Sequence, residues 1–404
     1  MTIQGGGRSA RPASVRISGW GSYVPERVLS NADLERLVDT SDEWIRTRTG
    51  IRERRVAAPH ETTATLGAIA AKRAIAVAGL QPDDIDVIVL ATLTPDYWMP
   101  STAALVKEAI GNSTAAAFDV GAACSGFVYG YATGDAYVRS GMAQRVLVVG
   151  AELLTRFLDF SDRSTCILFG DGAGAVVLSA SDEEGGGLAG LELTTDPDGA
   201  YMIWLPSGGS KSPPSVETMR RGEHFIRMEG RETYRYATRT MATSALAAIS
   251  KAGWTPEDVD LFIPHQANIR IIEAVAKGLQ LPMERMVVNI DRYGNTSAAS
   301  VAIALDEAVR AGRVRPGDRL VLVAFGAGFT SGAAAVTWTA DPSASARADR
   351  VAPVASVRAP VEWAAVDPMP PRLAAVLADP HGPPVPLDDV VPGEPEPAGV
   401  RKEA

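Results

Sequence analysis

The sequence is poor in the residues on which several classes of fold and site depend. Among 404 residues there are two cysteines, Cys124 and Cys166, and four histidines. Two cysteines so far apart cannot build a disulfide framework or a zinc ribbon, and they are typical of a reducing compartment. The first 14 residues are polar and glycine-rich and lack the apolar core of a secretory signal. We therefore predict a cytoplasmic protein.

Long apolar runs and an excess of positive charge are also missing. No uninterrupted hydrophobic stretch is long enough to span a bilayer, so no membrane partner is predicted. The formal net charge of −9 argues against nucleic acid as a partner. What the chain does have is a globular composition, with 46% hydrophobic residues and enough length for a large buried core.

An internal repeat predicts the architecture. The segment that begins at Ala78 reads like the one that begins at Ala252, and the apolar run that begins at Arg145 matches the one at Arg319. Both pairs have the same offset, 252 − 78 = 174. Each copy alternates helical segments with short buried strands, which favours sheets covered by helices. We predict an α/β protein made of two similar βα halves with covered mixed sheets.

Changes in composition divide the chain into five segments. We expect a flexible N-terminus (1–14), a first half (15–180), an irregular connection (181–228), a second half (229–340) and a tail (341–404). The tail holds 13 of the 27 prolines and few large apolar residues. Such a composition cannot supply a core, so we predict disorder there, with residues 371–377 able to form a short helix on contact.

Three polar side chains stand where an α/β enzyme places its chemistry. Cys124 follows an apolar run and precedes a helical one, so it falls at a helix start, where backbone N–H groups favour a thiolate. His265 ends the strand of the second half, and Asn295 precedes an alanine-rich helix. Each has a structural alternative, namely a buried cysteine, a hydrogen-bonded core histidine or a helix cap. The loop after the last strand, with Ala327, could aim a backbone N–H at a thioester oxygen.

Taken together, these segments resemble the β-ketoacyl-acyl-carrier-protein synthase III family of the thiolase superfamily, from about Val15 to Trp338. The motifs that carry the resemblance are DTSDEWI from Asp39, RTGI from Arg48, AACSGF from Ala122, FGDGAG from Phe169, PHQAN from Pro264 and GNTS from Gly294. The resemblance implies a duplicated thiolase-like fold, a homodimer and no cofactor or metal. It also implies that Cys124, His265 and Asn295 are catalytic, and that the N–H groups of Cys124 and Ala327 form the oxyanion hole. The glycines from Gly170 are not spaced as a dinucleotide loop.

The same resemblance assigns substrate-binding residues. Trp44 and Arg163 would hold the adenine of coenzyme A and Arg48 its phosphates, by stacking and charge. Gly230 and Asn268 would lie along the pantetheine arm. Met99 would form the floor of the partner subunit's acyl pocket. The alternative for each aromatic or charged residue is ordinary packing or a surface charge.

A basic stripe is visible without any family. Arg231, Arg235 and Arg239 are spaced four residues apart in a predicted helix from Gly230 to Ser250, so they share one face. With Arg270 and Lys277 they could form a docking patch for an acidic carrier protein, although a solvated helix face is the alternative.

The predicted function is therefore a decarboxylative condensation. Cys124 would take an acyl group from acyl-CoA, and malonyl-acyl carrier protein would supply the second reactant, which starts a fatty acid or polyketide chain. A starter-unit acyltransferase that performs no condensation is the first alternative, and intact His265 and Asn295 argue against it. A non-catalytic partner subunit is the second, and Cys124 argues against that.

Overall fold

The computed structural model describes residues 11–351, 354, 369–379 and 381–386. The strands are β1 (Ser14–Tyr23), β2 (Val28–Ser30), β3 (Glu53–Arg55), β4 (Val87–Ala91), β5 (Ala116–Val120), β6 (Arg145–Leu153), β7 (Asp171–Ser181), β8 (Gly187–Thr195), β9 (Ile203–Trp204), β10 (Arg227–Met228), β11 (Leu261–Pro264), β12 (Arg319–Gly326) and β13 (Thr330–Thr337). The helices are α1 (Asn31–Glu35), α2 (Asp42–Thr49), α3 (Thr63–Ala78), α4 (Thr102–Ile110), α5 (Gly126–Arg139), α6 (Arg163–Cys166), α7 (Val216–Arg220), α8 (Gly230–Lys251), α9 (Ile269–Gly278), α10 (Ile290–Tyr293), α11 (Ser300–Arg310) and α12 (Pro371–Ala378).

Two mixed sheets form the framework. The first has the order β1-β7-β6-β4-β5 and the second the order β11-β12-β13-β8. In each sheet parallel pairs (β4 with β6, β11 with β12) lie beside antiparallel ones (β6 with β7, β12 with β13). The helices α5 and α11 pack between the sheets, α3 covers the outer face of the first and α8 that of the second. The result is five alternating layers, as expected for sheets whose strands are buried on both faces.

The predicted repeat is present in the structure. At the offset of 174, β4 corresponds to β11, β6 to β12 and α5 to α11. Short 3-10 turns, Ala123–Ser125 and Ser297–Ala299, lead into α5 and α11 at the same offset. Even the backbone strain repeats, since Ala123 has φ 48° and Ser297 has φ 47°, values that L-residues rarely adopt. The duplicated α/β architecture is confirmed.

Local signals explain several element boundaries. Helix α3 begins after Thr62, whose hydroxyl accepts a hydrogen bond from the Thr65 N–H, and it ends at Gly79, which has φ 71°. Gly174 lies on β7 where a Cβ would approach the Cβ of Ala302 to 2.5 Å, so a glycine there lets α11 pack against the sheet. The FGDGAG motif is therefore a strand that packs closely on a helix.

Two expectations about the segments between and beyond the halves need correction. Within 181–228, expected to be irregular, β8 is a nine-residue strand that pairs with β13. It corresponds to β1 of the first half, so the second half begins near residue 187.

The tail also departs from the expected disorder in the parts that are described. Residues Pro342–Arg350 form a 3-10 helix, and the Ser345 hydroxyl accepts a hydrogen bond from Trp20. Helix α12 packs with Leu373 and Val376 fully buried. The residues it packs against lie far away in the chain, near Leu34 and Phe160. The rest of the predicted tail and residues 1–10 lie outside the described residues. Within the described part of the chain, no helix is long and apolar enough to cross a membrane.

Candidate active site

A cavity of about 550 Å³ lies between the two halves and collects the three predicted catalytic residues. Cys124 comes from the first half, and His265 and Asn295 come from the second. All three are less than 9% exposed. The shared cavity favours a functional role over three separate structural roles.

Cys124 lies in the 3-10 turn between β5 and α5, as the sequence predicted. Burial raises the pKa of its thiol from 9.0 to about 12, which represents roughly 4 kcal/mol. The dipole of α5 acts in the opposite direction but contributes at most about 2 kcal/mol. Burial thus opposes the thiolate that the helix start is expected to favour.

His265 immediately follows β11 and is completely buried. Its Nδ1 lies 2.6 Å from the Ser300 hydroxyl, at the first residue of α11. Its Nε2 has no hydrogen-bond partner among the described residues. Burial lowers the pKa of His265 to about 3, so the imidazole is neutral at physiological pH. If the Ser300 hydroxyl donates to Nδ1, the tautomer with Nε2–H results, and that N–H is available to a ligand.

Asn295 is held at both its backbone and its side chain. Its N–H donates to the Leu168 carbonyl at 2.8 Å, and its carbonyl accepts from the Gly170 N–H at 3.0 Å. Its amide oxygen accepts from the Ser297 N–H at 2.8 Å. Because the oxygen is occupied, the amide nitrogen is the group left to donate to a ligand. The helix-cap alternative does not apply, since α11 begins after Ala299.

The loop after β12 lies against the turn that carries Cys124. A Cβ on Gly326 would approach the Cys124 backbone nitrogen to 2.5 Å, so the two segments touch. The Thr330 hydroxyl lies 2.9 Å from the Ala122 carbonyl and 3.2 Å from that of Ala327, which joins the loop to the turn. Ala327 is not among the described non-glycine residues that have a positive φ. The next residue, Gly328, has φ 130°. Alanine thus fits at 327 without backbone strain.

Glu152 is a buried group of the site that sequence reasoning missed. It is the penultimate residue of β6 and accepts hydrogen bonds from the Leu93 N–H at 3.0 Å and from the Thr94 hydroxyl at 2.8 Å. Burial raises the pKa of this carboxyl to about 7, and its charge in turn raises the pKa of Cys124. An acidic residue inside the apolar run from Val146 to Leu154 was the available signal, because such a residue must have polar partners.

At the other end of the cavity Trp44, Arg48 and Arg163 lie together. The guanidinium carbon of Arg163 is 4.8 Å from the centroid of the Trp44 ring, and that of Arg48 is 5.4 Å from it. Arg163 also donates to the Asp39 carbonyl at 2.6 Å. A flat base between Trp44 and Arg163 needs a separation of about 7 Å, two van der Waals spacings. The predicted sandwich is therefore closed in this structure and must open by movement of Arg163.

The remaining predicted substrate-binding residues divide into two groups. Gly230 and Asn268 line the cavity, and Asn268 also caps α9 and donates to the Arg48 carbonyl at 3.1 Å. Met99 does not line it, and its side chain is 87% exposed beside Trp98, which is 77% exposed. Its predicted role concerns a partner subunit and stays a prediction.

The predicted basic stripe forms one exposed surface on α8 and α9, which pack side by side. All five members are exposed: Arg231, Arg235, Arg239, Arg270 and Lys277. Arg231 and Arg270 also line the mouth of the cavity. Glu232 pairs with Arg235 at 3.1 Å, which offsets part of the positive charge. The carrier-docking role stays a prediction.

Comparisons with known proteins agree with this geometry. The family model "3-Oxoacyl-[acyl-carrier-protein (ACP)] synthase III" matches residues 118–197, and its C-terminal counterpart matches residues 249–338. The β-ketoacyl-[acyl-carrier-protein] synthase III of Roseiflexus sp. (strain RS-1) is 53% identical over 324 residues, which are 80% of this chain and 98% of that protein.

Solved structures give the same picture. The crystal structure of 3-oxoacyl-[acyl-carrier-protein] synthase III from Aquifex aeolicus VF5 is 45% identical with a TM-score of 0.74, and covers 80% of this chain and 100% of that one. The priming β-ketosynthase from the R1128 polyketide biosynthetic pathway is 36% identical with a TM-score of 0.75, over 83% of this chain and 99% of that one.

Proposed function

This chain belongs to the 3-oxoacyl-[acyl-carrier-protein] synthase III family, and on that basis we propose that it joins an acyl group held on Cys124 to malonyl-acyl carrier protein. It is a condensing enzyme that initiates fatty acid synthesis. The observation that carries the proposal is the cavity that collects a buried cysteine, a neutral histidine and an oriented asparagine amide.

The first half-reaction moves the acyl group from coenzyme A to Cys124. The Cys124 sulfur attacks the thioester carbonyl, the bond between that carbonyl and the coenzyme A sulfur breaks, and the thiol proton leaves with coenzyme A. The backbone N–H groups of Cys124 and Ala327 hold the oxyanion that forms. Their segments touch through Gly326 and are joined by the Thr330 hydroxyl, which supports this assignment.

The second half-reaction forms the carbon–carbon bond. The malonyl thioester loses carbon dioxide, and the electron pair of the broken bond becomes an enolate. His265 Nε2–H and the Asn295 amide N–H donate to the enolate oxygen. The enolate carbon then attacks the acyl carbonyl on Cys124, and the thiolate leaves and takes up a proton. A neutral histidine suits this role because it donates a hydrogen bond to the enolate oxygen and carries no positive charge that would hold back the departing carboxylate.

Recognition of the two substrates uses the two ends of the site. We place the adenine of coenzyme A between Trp44 and Arg163 after Arg163 moves, and the phosphates at Arg48. The exposed arginines of α8 and α9 would receive the acidic carrier protein. The exposed Tyr97–Trp98–Met99 loop is the surface on which a second subunit would pack, with Met99 reaching the partner's acyl pocket.

The proposal is tested by supplying the purified protein with a panel of acyl-CoAs and malonyl-acyl carrier protein. We expect a β-ketoacyl-carrier product and an equal amount of carbon dioxide with at least one acyl-CoA. Transfer of the acyl group to the carrier without release of carbon dioxide would instead establish the starter-unit acyltransferase.

A further inference from the structure

The described C-terminal residues 369–379 and 381–386, here named the C-terminal clamp, pack against the segments that carry Trp44 and Arg163. The match to the family ends at residue 338, so the clamp lies beyond it. Helix α12 buries Leu373 and Val376 completely, in one apolar cluster with Leu34, Leu37 and Phe160. The contact therefore excludes water from a continuous apolar surface.

Arg372 is the polar centre of this contact. It is only 6% exposed, and its guanidinium donates to the Leu37 carbonyl at 2.7 Å, the Phe160 carbonyl at 3.1 Å and the Val385 carbonyl at 3.0 Å. Leu37 and Phe160 are far apart in sequence, so one side chain joins two separate segments. Burial of a guanidinium is costly unless its donors are used, and here both terminal nitrogens donate to carbonyls, while Nε has no partner among the described residues.

The clamp is also held by Arg36, the residue before Leu37. Arg36 donates to the carbonyls of Val376 at 3.5 Å and Pro383 at 3.3 Å, and its own carbonyl accepts from the Val385 N–H at 3.1 Å. The turn after α1 and the clamp thus exchange hydrogen bonds in both directions. These reciprocal contacts make the turn and the clamp one structural unit.

The two segments that Arg372 joins lead directly to the nucleotide end of the cavity. Asp39, two residues after Leu37, accepts the 2.6 Å hydrogen bond from Arg163. Arg163 itself stands three residues after Phe160, and its guanidinium lies over Trp44. A shift of either carbonyl that Arg372 holds would therefore move one side of the Trp44–Arg163 pair relative to the other.

We propose that the C-terminal clamp sets the affinity of the site for the nucleotide part of coenzyme A, with Arg372 as a positioning residue. This inference rests on the proposed function, since it assumes that coenzyme A enters between Trp44 and Arg163. Arg372 is not among the residues that line the cavity with Cys124, but it borders a neighbouring pocket together with Arg163, so its effect reaches the site through the Leu37 and Phe160 segments.

The test compares Arg372→Met with Arg347→Met in the full-length protein. Arg347 also belongs to the C-terminal region and donates to a main-chain carbonyl, that of Val77 at 3.0 Å, but on a different surface. Binding of coenzyme A is measured by calorimetry, and access to the catalytic cavity by the rate at which iodoacetamide alkylates Cys124. That rate is read from the mass of the peptide that contains Cys124, because the second free cysteine, Cys166, lies in the apolar cluster of the clamp.

We expect Arg372→Met to raise the Kd for coenzyme A about threefold to tenfold, the effect of one or two ordinary hydrogen bonds. The alkylation rate of Cys124 without coenzyme A should stay unchanged, and Arg347→Met should match the wild type in both measurements. Arg372→Lys, which keeps the charge but not the fork, should restore part of the affinity. Should Arg372→Met fail to fold, Leu373→Ala loosens the same helix and should raise the Kd in the same direction.

Two results separate the possible failures. If wild-type protein binds coenzyme A and both Arg372→Met and Leu373→Ala bind it equally well, the clamp has no part in nucleotide recognition. An equal change in coenzyme A affinity and Cys124 alkylation would also overturn the inference, because it would show a general disturbance of the site. If wild-type protein neither binds coenzyme A nor is slowed by it in alkylation, the proposed function itself fails.

Discussion

The two 3-10 turns that precede α5 and α11 pack against each other, and they have the same backbone and different chemistry. In the first half Ala123 adopts φ 48° and is followed by Cys124, whereas in the second half Ser297 adopts φ 47° and is followed by Ala298. Ala298 is completely buried, while Cys124 lines the cavity. The duplication thus supplied two copies of one strained turn, and only one of them carries a side chain that can act as a nucleophile.

The second turn serves the chemistry in another way. The Ser297 N–H orients the Asn295 amide, and Ser300, at the start of the following helix, contacts His265. Burial also acts in opposite directions on the two sides, since it raises the pKa of the Cys124 thiol and lowers that of the His265 imidazole. Both shifts favour the neutral form of the group. We assign acyl transfer to the first half and enolate stabilisation to the second.

Asn295→Ala should separate the two half-reactions most strongly. Removing one donor to a developing oxyanion costs about 100- to 1000-fold in rate. We expect that loss in carbon dioxide release from malonyl-acyl carrier protein, measured on enzyme already acylated at Cys124. Acylation itself should continue at close to the wild-type rate. Equal losses in both half-reactions would contradict the assignment of separate roles to the two halves.

The two half-reactions should also differ in their dependence on pH. Because burial raises the pKa of the Cys124 thiol to about 12, the thiolate fraction grows with pH, and single-turnover acylation should rise from pH 6 to 8. The rise should be less than tenfold per pH unit, because Glu152, with a pKa of about 7, ionises over the same range and raises the pKa of Cys124 further. His265, with its pKa lowered to about 3, stays neutral over that range, so condensation on acylated enzyme should not change through His265. A plateau of acylation below pH 8 would show that the helix start outweighs burial after all.

Ser300→Ala removes the hydrogen-bond partner of His265 Nδ1 and with it the preference for the Nε2–H tautomer. We expect condensation to fall about tenfold, the worth of one buried hydrogen bond, with acylation unaffected. Ser331→Ala is a matched control, since Ser331 is equally buried but its hydroxyl contacts Thr194 of β8 and Ser244 of α8. If both variants lose condensation equally, the effect of Ser300 is general destabilisation.

The smallest effect concerns the exposed face of the second half. Each exposed charge is worth about 0.2–1 kcal/mol, so Arg235→Glu combined with Arg270→Glu should raise KM for malonyl-acyl carrier protein about threefold to tenfold. Added salt should reduce the difference in KM between the double variant and the wild type, because ions screen the long-range attraction between the arginines and the carrier protein. Acylation by acyl-CoA should change less. Unchanged carrier kinetics would leave the basic stripe as a solvated helix face.

Local signals in the sequence predicted much of the fold and the site. Thr62 and Gly79 mark the ends of α3, and the repeat at an offset of 174 predicted both sheets. Cys124, His265 and Asn295 each stand at the end of an element, where short-range patterns are informative. The family resemblance implied that these three residues meet in one site. The structure shows the same meeting independently, since all three line one cavity.

The missed features depend on distant partners. Strand β8 is glycine-rich with weak alternation, and its partner β13 lies more than 130 residues away. Arg372 binds a carbonyl 335 residues away, so no local pattern could show that this part of the proline-rich tail is packed. Glu152 becomes meaningful only through Leu93 and Thr94, some 60 residues earlier. The pKa of Cys124 likewise depends on burial by the whole cavity rather than on its helix start.

The central claim is that Cys124 of the first half carries the acyl group, whereas the corresponding residue of the second half carries none. Intact-mass analysis after incubation with the acyl-CoA that proves competent tests this directly. The account predicts that wild-type protein gains the mass of one acyl group, that the modified peptide contains Cys124, and that Cys124→Ala gains none. An acyl adduct that persists in Cys124→Ala would contradict the account.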